Sequence, residues 1–137
     1  MKAIKFENVE KGINWQDIKD IESEIGVILL ENYKRLILKF NGGLTEDSSF
    51  IDVLLSIRYG EQTVQDMVKM HQILESNIPF NFLPIALDWS DNPITINLNI
   101  GEHYGEIVQF YFDTEQEPEV LAKALEELLG VENIDEL

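Results

Sequence analysis

The chain has two histidines, His71 and His103, and a base near neutral pH is the first requirement of hydrolytic or transfer chemistry. His71 falls on the apolar side of a helical pattern, where a satisfied core or boundary histidine is the plain reading. His103 sits in the turn Gly101-Glu102-His103-Tyr104-Gly105, where surface exposure is the plain reading. Neither belongs to an HExxH, and two histidines cannot make a three-histidine zinc site. There is no cysteine. A thiol nucleophile, a disulfide framework and zinc-finger spacing are therefore excluded, and a reducing compartment suits the chain. Gly-x-Ser-x-Gly, Walker and GxGxxG patterns are absent, and Gly42-Gly43 follows a helical run, so it stops a helix and does not cradle a phosphate.

The carboxylates are the other chemical resource. The turn Asp88-Trp89-Ser90-Asp91-Asn92-Pro93 has oxygen ligands at alternate positions, as calcium prefers. Counted as an EF-hand loop from Asp88, it puts Pro93 where glycine is needed and Asn99 where a bidentate Glu belongs, which leaves at most a weak, adventitious cation site. Among 26 acids some pair falls close by chance, so a glycosidase pair has no specific support. Phe110, Tyr111 and Phe112 alternate faces and have no basic neighbour, which disfavours a base-stacking RNA platform. A nucleophile, base and orienter set is missing, and the chain is expected not to be an enzyme and to need no cofactor or metal.

The elements that position these residues centre on 82–113. Segments 82–88, 94–98 and 107–113 read as three strands joined by acidic turns. In the middle one Ile94, Ile96, Leu98 and Ile100 alternate with Thr95, Asn97 and Asn99, which predicts a meander with one wet face. Upstream, 3–9 reads as a short strand. Asn14 with Asp17 opens a helix with Trp15, Ile18, Ile21 and Ile25 at helical spacing, closed by Gly26. A second helix at 31–40 carries Tyr33, Leu36, Ile37 and Phe40 and stops at Asn41-Gly42-Gly43. The odd residues of 51–59 are apolar, predicting a strand. Thr63 to Asp66 resembles a capping box before a helix with Val64, Met67, Val68, His71 and Leu74 on one face. A last helix is expected from Pro118 through Val120, Leu121, Ala124, Leu125 and Leu128 to Gly130, followed by an acidic tail, 131–137, that frays.

At 137 residues the chain is expected to be one domain, 1–137, with a core that needs no staples. Residues 1–7 carry charges where a secretion signal needs an apolar run of ~7–15 residues. The longest uncharged run, 76–87, is broken by Pro79 and Pro84 and falls short of the ~18–20 residues of a membrane span. A cytoplasmic location is expected. Charge is lopsided: residues 1–69 hold 12 acids and 9 bases, whereas 70–137 hold 14 acids and only Lys123. Such a field repels phosphate and anionic lipid, so nucleic acid and membrane are not expected partners, and it attracts basic proteins. The bland alternative is that acidity only maintains solubility.

The run Trp15-x-x-Ile18-x-x-Ile21-Glu22-x-x-Ile25-Gly26, then Tyr33-Lys34-x-Leu36 and Asn41-Gly42-Gly43, resembles the opening signature of the SUKH superfamily, which includes the yeast Smi/Knr-like cell-wall regulators and many small bacterial proteins. The block Phe82-Leu83-Pro84-Ile85-Ala86-x-Asp88, then Ile94-x-Ile96-x-Leu98 and Tyr104-Gly105-x-Ile107-Val108-x-Phe110, is similar to its second half. Three departures stand out. Leu29-Leu30 replaces a usual Leu-Pro, Ser90-Asp91-Asn92-Pro93 replaces a turn glycine, and Phe112-Asp113-Thr114 replaces an aromatic-Asp-His ending.

The resemblance implies an α+β single domain with a mainly antiparallel sheet, on which an N-terminal helix pair, a middle helix and a C-terminal helix pack. It also implies no catalytic residues, and, for the bacterial immunity-protein branch, a partner that is a basic protein toxin domain, often a nuclease. The alternative is a regulatory or scaffold protein-interaction module, as in the eukaryotic relatives. The partner-binding residues expected are those of the two meander turns and adjoining strand ends: Asp88, Trp89, Asp91, Glu102, Tyr104, Asp113, Glu115 and Glu117. Against this, Trp89 and Tyr104 could be packing residues and the acids a solvated rim. Open sheet edges leave monomer or homodimer as the expected state.

Overall fold

The computed structural model describes residues 4–45, 50–112 and 114–137. In chain order it holds α1 (Trp15–Ile25), α2 (Glu31–Lys39), β1 (Gly43–Leu44), β2 (Val53–Leu54) and α3 (Val64–Val68), which continues as a π-helical segment (Lys69–Leu74). Then follow β3 (Phe82–Leu87), β4 (Pro93–Asn97), β5 (Ile107–Gln109), β6 (Glu119–Ala122), α4 (Leu125–Leu129) and a 3-10 turn (Ile134–Glu136). The six strands pair antiparallel in chain order, so the α+β class is as expected.

Helix α1 starts where its sequence says it should. Asn14 Oδ1 accepts from Asp17 N at 2.9 Å and Asp17 Oδ2 accepts from Asn14 N at 3.0 Å, a reciprocal box that satisfies two otherwise orphaned donors. Asp17 also pairs with Arg58. The Asn14 amide, followed by Arg58, holds the Asp17 carboxyl below its ordinary range. Ile18 and Ile21 enter the core, while Trp15, expected on that face, sits half exposed at the first helical position.

Helix α2 has no side-chain cap at Leu30. Glu22 compensates from α1, accepting from Leu29 N at 2.8 Å and lying 3.5 Å from Lys34 Nζ. The buried face of α2, Tyr33, Leu36 and Ile37, meets the sheet residues Ile85, Ile94, Ile96 and Ile107 in one core. Beyond α2, buried Asn41 binds Lys11 O and both backbone groups of Ile57. Gly42 adopts φ 82° with Ser56 against it, so a Cβ there would sit 2.8 Å from Ser56 Cβ. Only glycine allows that approach.

Several elements differ from the sequence pattern. Of the expected strand 3–9, the described residues 4–9 contribute a single isolated bridge, Glu7 to Leu44. Ladder pairing in 51–59 is confined to Val53–Leu54, because Asn41 captures Ile57 and Arg58 turns the chain at φ 69°. The middle helix opens on Thr63 as expected, then widens at Lys69 into π geometry, whose longer hydrogen-bond step keeps His71 buried and turns Leu74 outward. The stretch expected to start the last helix is β6 instead: Val120 pairs with Val108, and helix is confined to Leu125–Leu129. An apolar run of this length fits a strand as well as a helix, and the exposed side of β5 selects the strand.

The wet face is not wet. Thr95 is fully buried and donates from Oγ1 to Val108 O at 2.8 Å, and Asn97 is buried too. A second small cluster of Ile78, Val108 and Phe110, with Phe82 against it, covers this side, and Gln72 Nε2 fastens the π-helical segment to Phe82 O at 2.7 Å. Ile100, expected in the core row, is 97% exposed at a hairpin tip. The tail expected to fray closes as a 3-10 turn in this structure. Ile134 is 1% exposed within the main core, and Arg35 binds Asn133 and Asp135.

Candidate functional site

Antiparallel order in the meander puts its two acidic turns at opposite ends of the sheet. Five-residue β4 separates them, roughly 15 Å at about 3.3 Å per residue. Asp88, Trp89 and Asp91 belong to one end, together with Glu115 and Glu117 in the connection from β5 to β6. Glu102 and Tyr104 belong to the other. The expected residues therefore form two groups and not one surface. Asp113 lies outside the described residues.

At the first end the carboxylate of Asp88 is a scaffold group. Its Oδ1 accepts from Ser90 N at 2.9 Å and Asn92 N at 2.8 Å, and its Oδ2 accepts from Gln109 Nε2 at 2.5 Å. This Asx-type closure shapes the turn and leaves little of the carboxylate for a partner. Asp91 takes φ 62°, a left-handed conformation that glycine adopts more readily, and its side chain is exposed. Asn92 Oδ1 accepts from Phe112 N at 2.9 Å, which holds the two connections together. Tyr111 donates its hydroxyl to Glu119 at 2.8 Å, and the His71 ring stacks on Phe112 at 5.1 Å.

The resulting surface presents Asp91, Glu115, Glu117 and Glu119 beside two partly exposed aromatics, Trp89 (57%) and Phe112 (42%). From residue 70 to residue 122 the sequence holds no lysine or arginine. Phe112 was missed by sequence reasoning because its run looked like core packing. The signal was its position, next to Asp113 at the end of the last meander segment.

The opposite end is more apolar. Asn97 Oδ1 accepts from Asn99 N and Nδ2 at 2.8 and 2.9 Å and so turns the chain toward Ile100. Asn81 N δ2 donates to Asn99 Oδ1 at 3.0 Å. Gly105 faces Leu30, and Gly26 faces Phe80, which brings exposed Ile28, Phe80, Ile100 and Tyr104 to the same end. An apolar side chain between turn residues, as in Asn99-Ile100-Gly101, was the signal for this group. His103 Nδ1 lies 2.8 Å from Glu106 Oε2, and that contact raises the imidazole above its ordinary value.

Catalytic geometry does not assemble around these groups. His71 contacts Asn77 at 3.1 Å, and His103 contacts Glu106. An open cleft of about 380 Å³ beside β1 and β2 is lined by Glu10, Ser56 and Glu61. Its one serine already donates to Tyr59 O and lies 3.3 Å from Gln62 O. Among the described residues no group of three His, Cys, Asp or Glu is placed to hold a metal ion, and no helix is long and apolar enough to cross a membrane.

Residues 12–130 match the family model described as SMI1 / KNR4 family (SUKH-1). No curated protein matches the chain.

Proposed function

This chain belongs to the SMI1 / KNR4 family (SUKH-1), and we propose that it is a non-catalytic binding protein of the immunity type, which neutralises a basic toxin domain by covering it. The observation that carries this reading is the acidic end of the sheet. At that end, closed by the Asp88–Gln109 and Asn92–Phe112 hydrogen bonds, exposed Asp91, Glu115 and Glu117 and the Tyr111-bonded Glu119 lie together with Trp89 and Phe112. Carboxylates steer a basic surface into encounter, and half-exposed aromatics supply the apolar anchors that hold it.

The chemistry suits a nuclease domain as target. A nuclease concentrates positive charge where it holds phosphate, and an acidic, pre-shaped surface competes for that place. Such a partner acts on nucleic acid inside the cell, so the proposed location is the cytoplasm. No cofactor or metal takes part. The protein acts as a monomer or a homodimer, one toxin domain to each chain.

The test is capture of partners from lysate of the source organism, elution in rising salt, and co-expression of the captured protein with this chain. One basic protein, held near stoichiometrically, whose toxicity on expression is relieved by the chain supports the reading. A scatter of weak, salt-labile partners without relief of toxicity would overturn it in favour of a regulatory or scaffold module.

A further inference from the structure

The two edges of the sheet are not equivalent. At the β1 edge the backbone of Glu7 exchanges two hydrogen bonds with Leu44, at 2.9 and 2.7 Å, so that edge is bridged. At the other edge β6 pairs with β5 on one side, through Gln109 with Glu119, Val108 with Val120 and Ile107 with Ala122. A bulge at Leu121 marks where the register shifts, so the regular stretch of the edge is Glu119–Val120. Among the described residues no strand pairs with its other side. An unpaired edge offers a row of backbone donors and acceptors, the template for strand addition. Val120 in its middle is 54% exposed.

The side chains around this edge select the occupant. Glu115, Glu117 and Glu119 lead into the strand, Glu126 and Glu127 follow it, and Lys123 is the one lysine or arginine from 70 to 137. A second copy of this chain would bring the same acids against themselves, because a two-fold edge contact pairs each patch with its own copy, and like charges placed opposite one another oppose pairing. A segment with bases at alternate positions meets the opposite situation. In a strand, alternate side chains share one face, so its lysines or arginines all lie toward the glutamates while the intervening residues meet Val120.

We propose that the β6 edge, Glu119–Ala122, takes up an extended basic segment of the partner protein as an additional strand of the sheet. For the choice of a basic occupant this rests on the proposed function. The location comes from the edge itself. The acidic end formed by 88–92, 110–112 and 114–118 adjoins the start of β6, so one partner can engage both.

The experiment titrates the isotope-labelled full chain with a short peptide of alternating lysine and valine, and with a glutamate–valine peptide as control. Amide shifts and hydrogen exchange are read residue by residue. The lysine peptide should shift the amides of 119–122 and slow their exchange, and Val120→Pro should abolish both effects. Because that substitution can disturb the pairing with β5, the surface variant Glu117→Lys/Glu119→Lys is the second arm, and it should reverse the preference toward the glutamate peptide. Shifts confined to other parts of the sheet, no slowing at 119–122, unchanged preference in the lysine variant, or self-association through 119–122 would each overturn the proposal. The failures are separable. A toxin bound without protection at 119–122 leaves the proposed function intact, and peptide addition at β6 without a neutralised toxin leaves the strand-addition site intact.

Discussion

The Asp88 carboxylate and the Gln109 side-chain amide meet at 2.5 Å across β4, linking the turn after β3 to the end of β5. The contact shows what the acid at the head of this turn does. It shapes the acidic end of the sheet, while its acidic neighbours in the turn and the following connection leave their side chains exposed. An acid engaged by Ser90 N, by Asn92 N and Nδ2 and by the Gln109 amide has an internal task, whereas Asp91, Glu115 and Glu117 lie exposed.

Replacing Asp88 therefore acts through stability first. Asp88→Ala leaves Ser90 N, Asn92 N and the Gln109 amide without their shared acceptor, and a hydrogen bond to a charged group contributes about 1.5–3 kcal/mol. The unfolding free energy should fall by about that much, read as a lower urea midpoint with little change in slope, and Asp88→Asn should lose less. An unchanged midpoint for Asp88→Ala would mean that the turn closes without it.

Asp91 separates folding from charge. Its φ of 62° strains an L residue by up to about 1–2 kcal/mol, less for Asp than for branched side chains. Asp91→Gly should hold or raise the thermal midpoint while slowing association with a basic partner, and Asp91→Val should lower the midpoint. Slower association without lost stability in the glycine variant is the signature of a steering charge.

The last seven residues are predicted to be part of the folded unit. Ile134→Ala removes a side chain that is 1% exposed and should cost about 2–4 kcal/mol, as in other buried large-to-small changes. Arg35→Ala, which loses a pair with exposed Asp135, should cost less than about 1 kcal/mol. Hydrogen exchange checks this directly, because Leu137 N, bonded to Ile134 O at 3.1 Å, should exchange more slowly than a frayed end allows.

His103 gives a pH signature at the opposite end of the sheet. Its pKa is raised above 6.5, first by the hydrogen bond to Glu106 and then by that carboxylate's charge. A raised folded-state value means that this contact stabilises fully below the unfolded pKa and ceases to do so as pH rises through the folded one. An NMR titration should place the His103 midpoint above 6.5 and return it toward that value in Glu106→Gln. A wild-type midpoint at or below 6.5 would remove the contact from the account.

The sequence was most informative where one force acted alone. The box of Asn14 and Asp17 is local, so α1 began where its residues said, and the apolar runs of β3, β4 and β5 marked the meander. It was least informative where a distant element decided the outcome. Thr95 looked solvent-facing because its own strand cannot show that Ile78 and the π-helical segment cover that side. Val120 and Leu121 fit a helix stripe until the open side of β5 is taken into account. Of the candidate residues, the turns were legible as turns, but their placement at opposite ends follows from strand order. Asp88 looked like a contact residue because Gln109, 21 positions later, is invisible as its partner.

The most direct test of the central claim is growth of a host that expresses the captured basic toxin domain together with this chain, either wild type or carrying Asp91→Lys, Glu115→Lys and Glu117→Lys. Wild type should restore growth, and the triple variant, folded by circular dichroism, should not. Restoration by both, or by neither, would contradict neutralisation through the acidic end of the sheet.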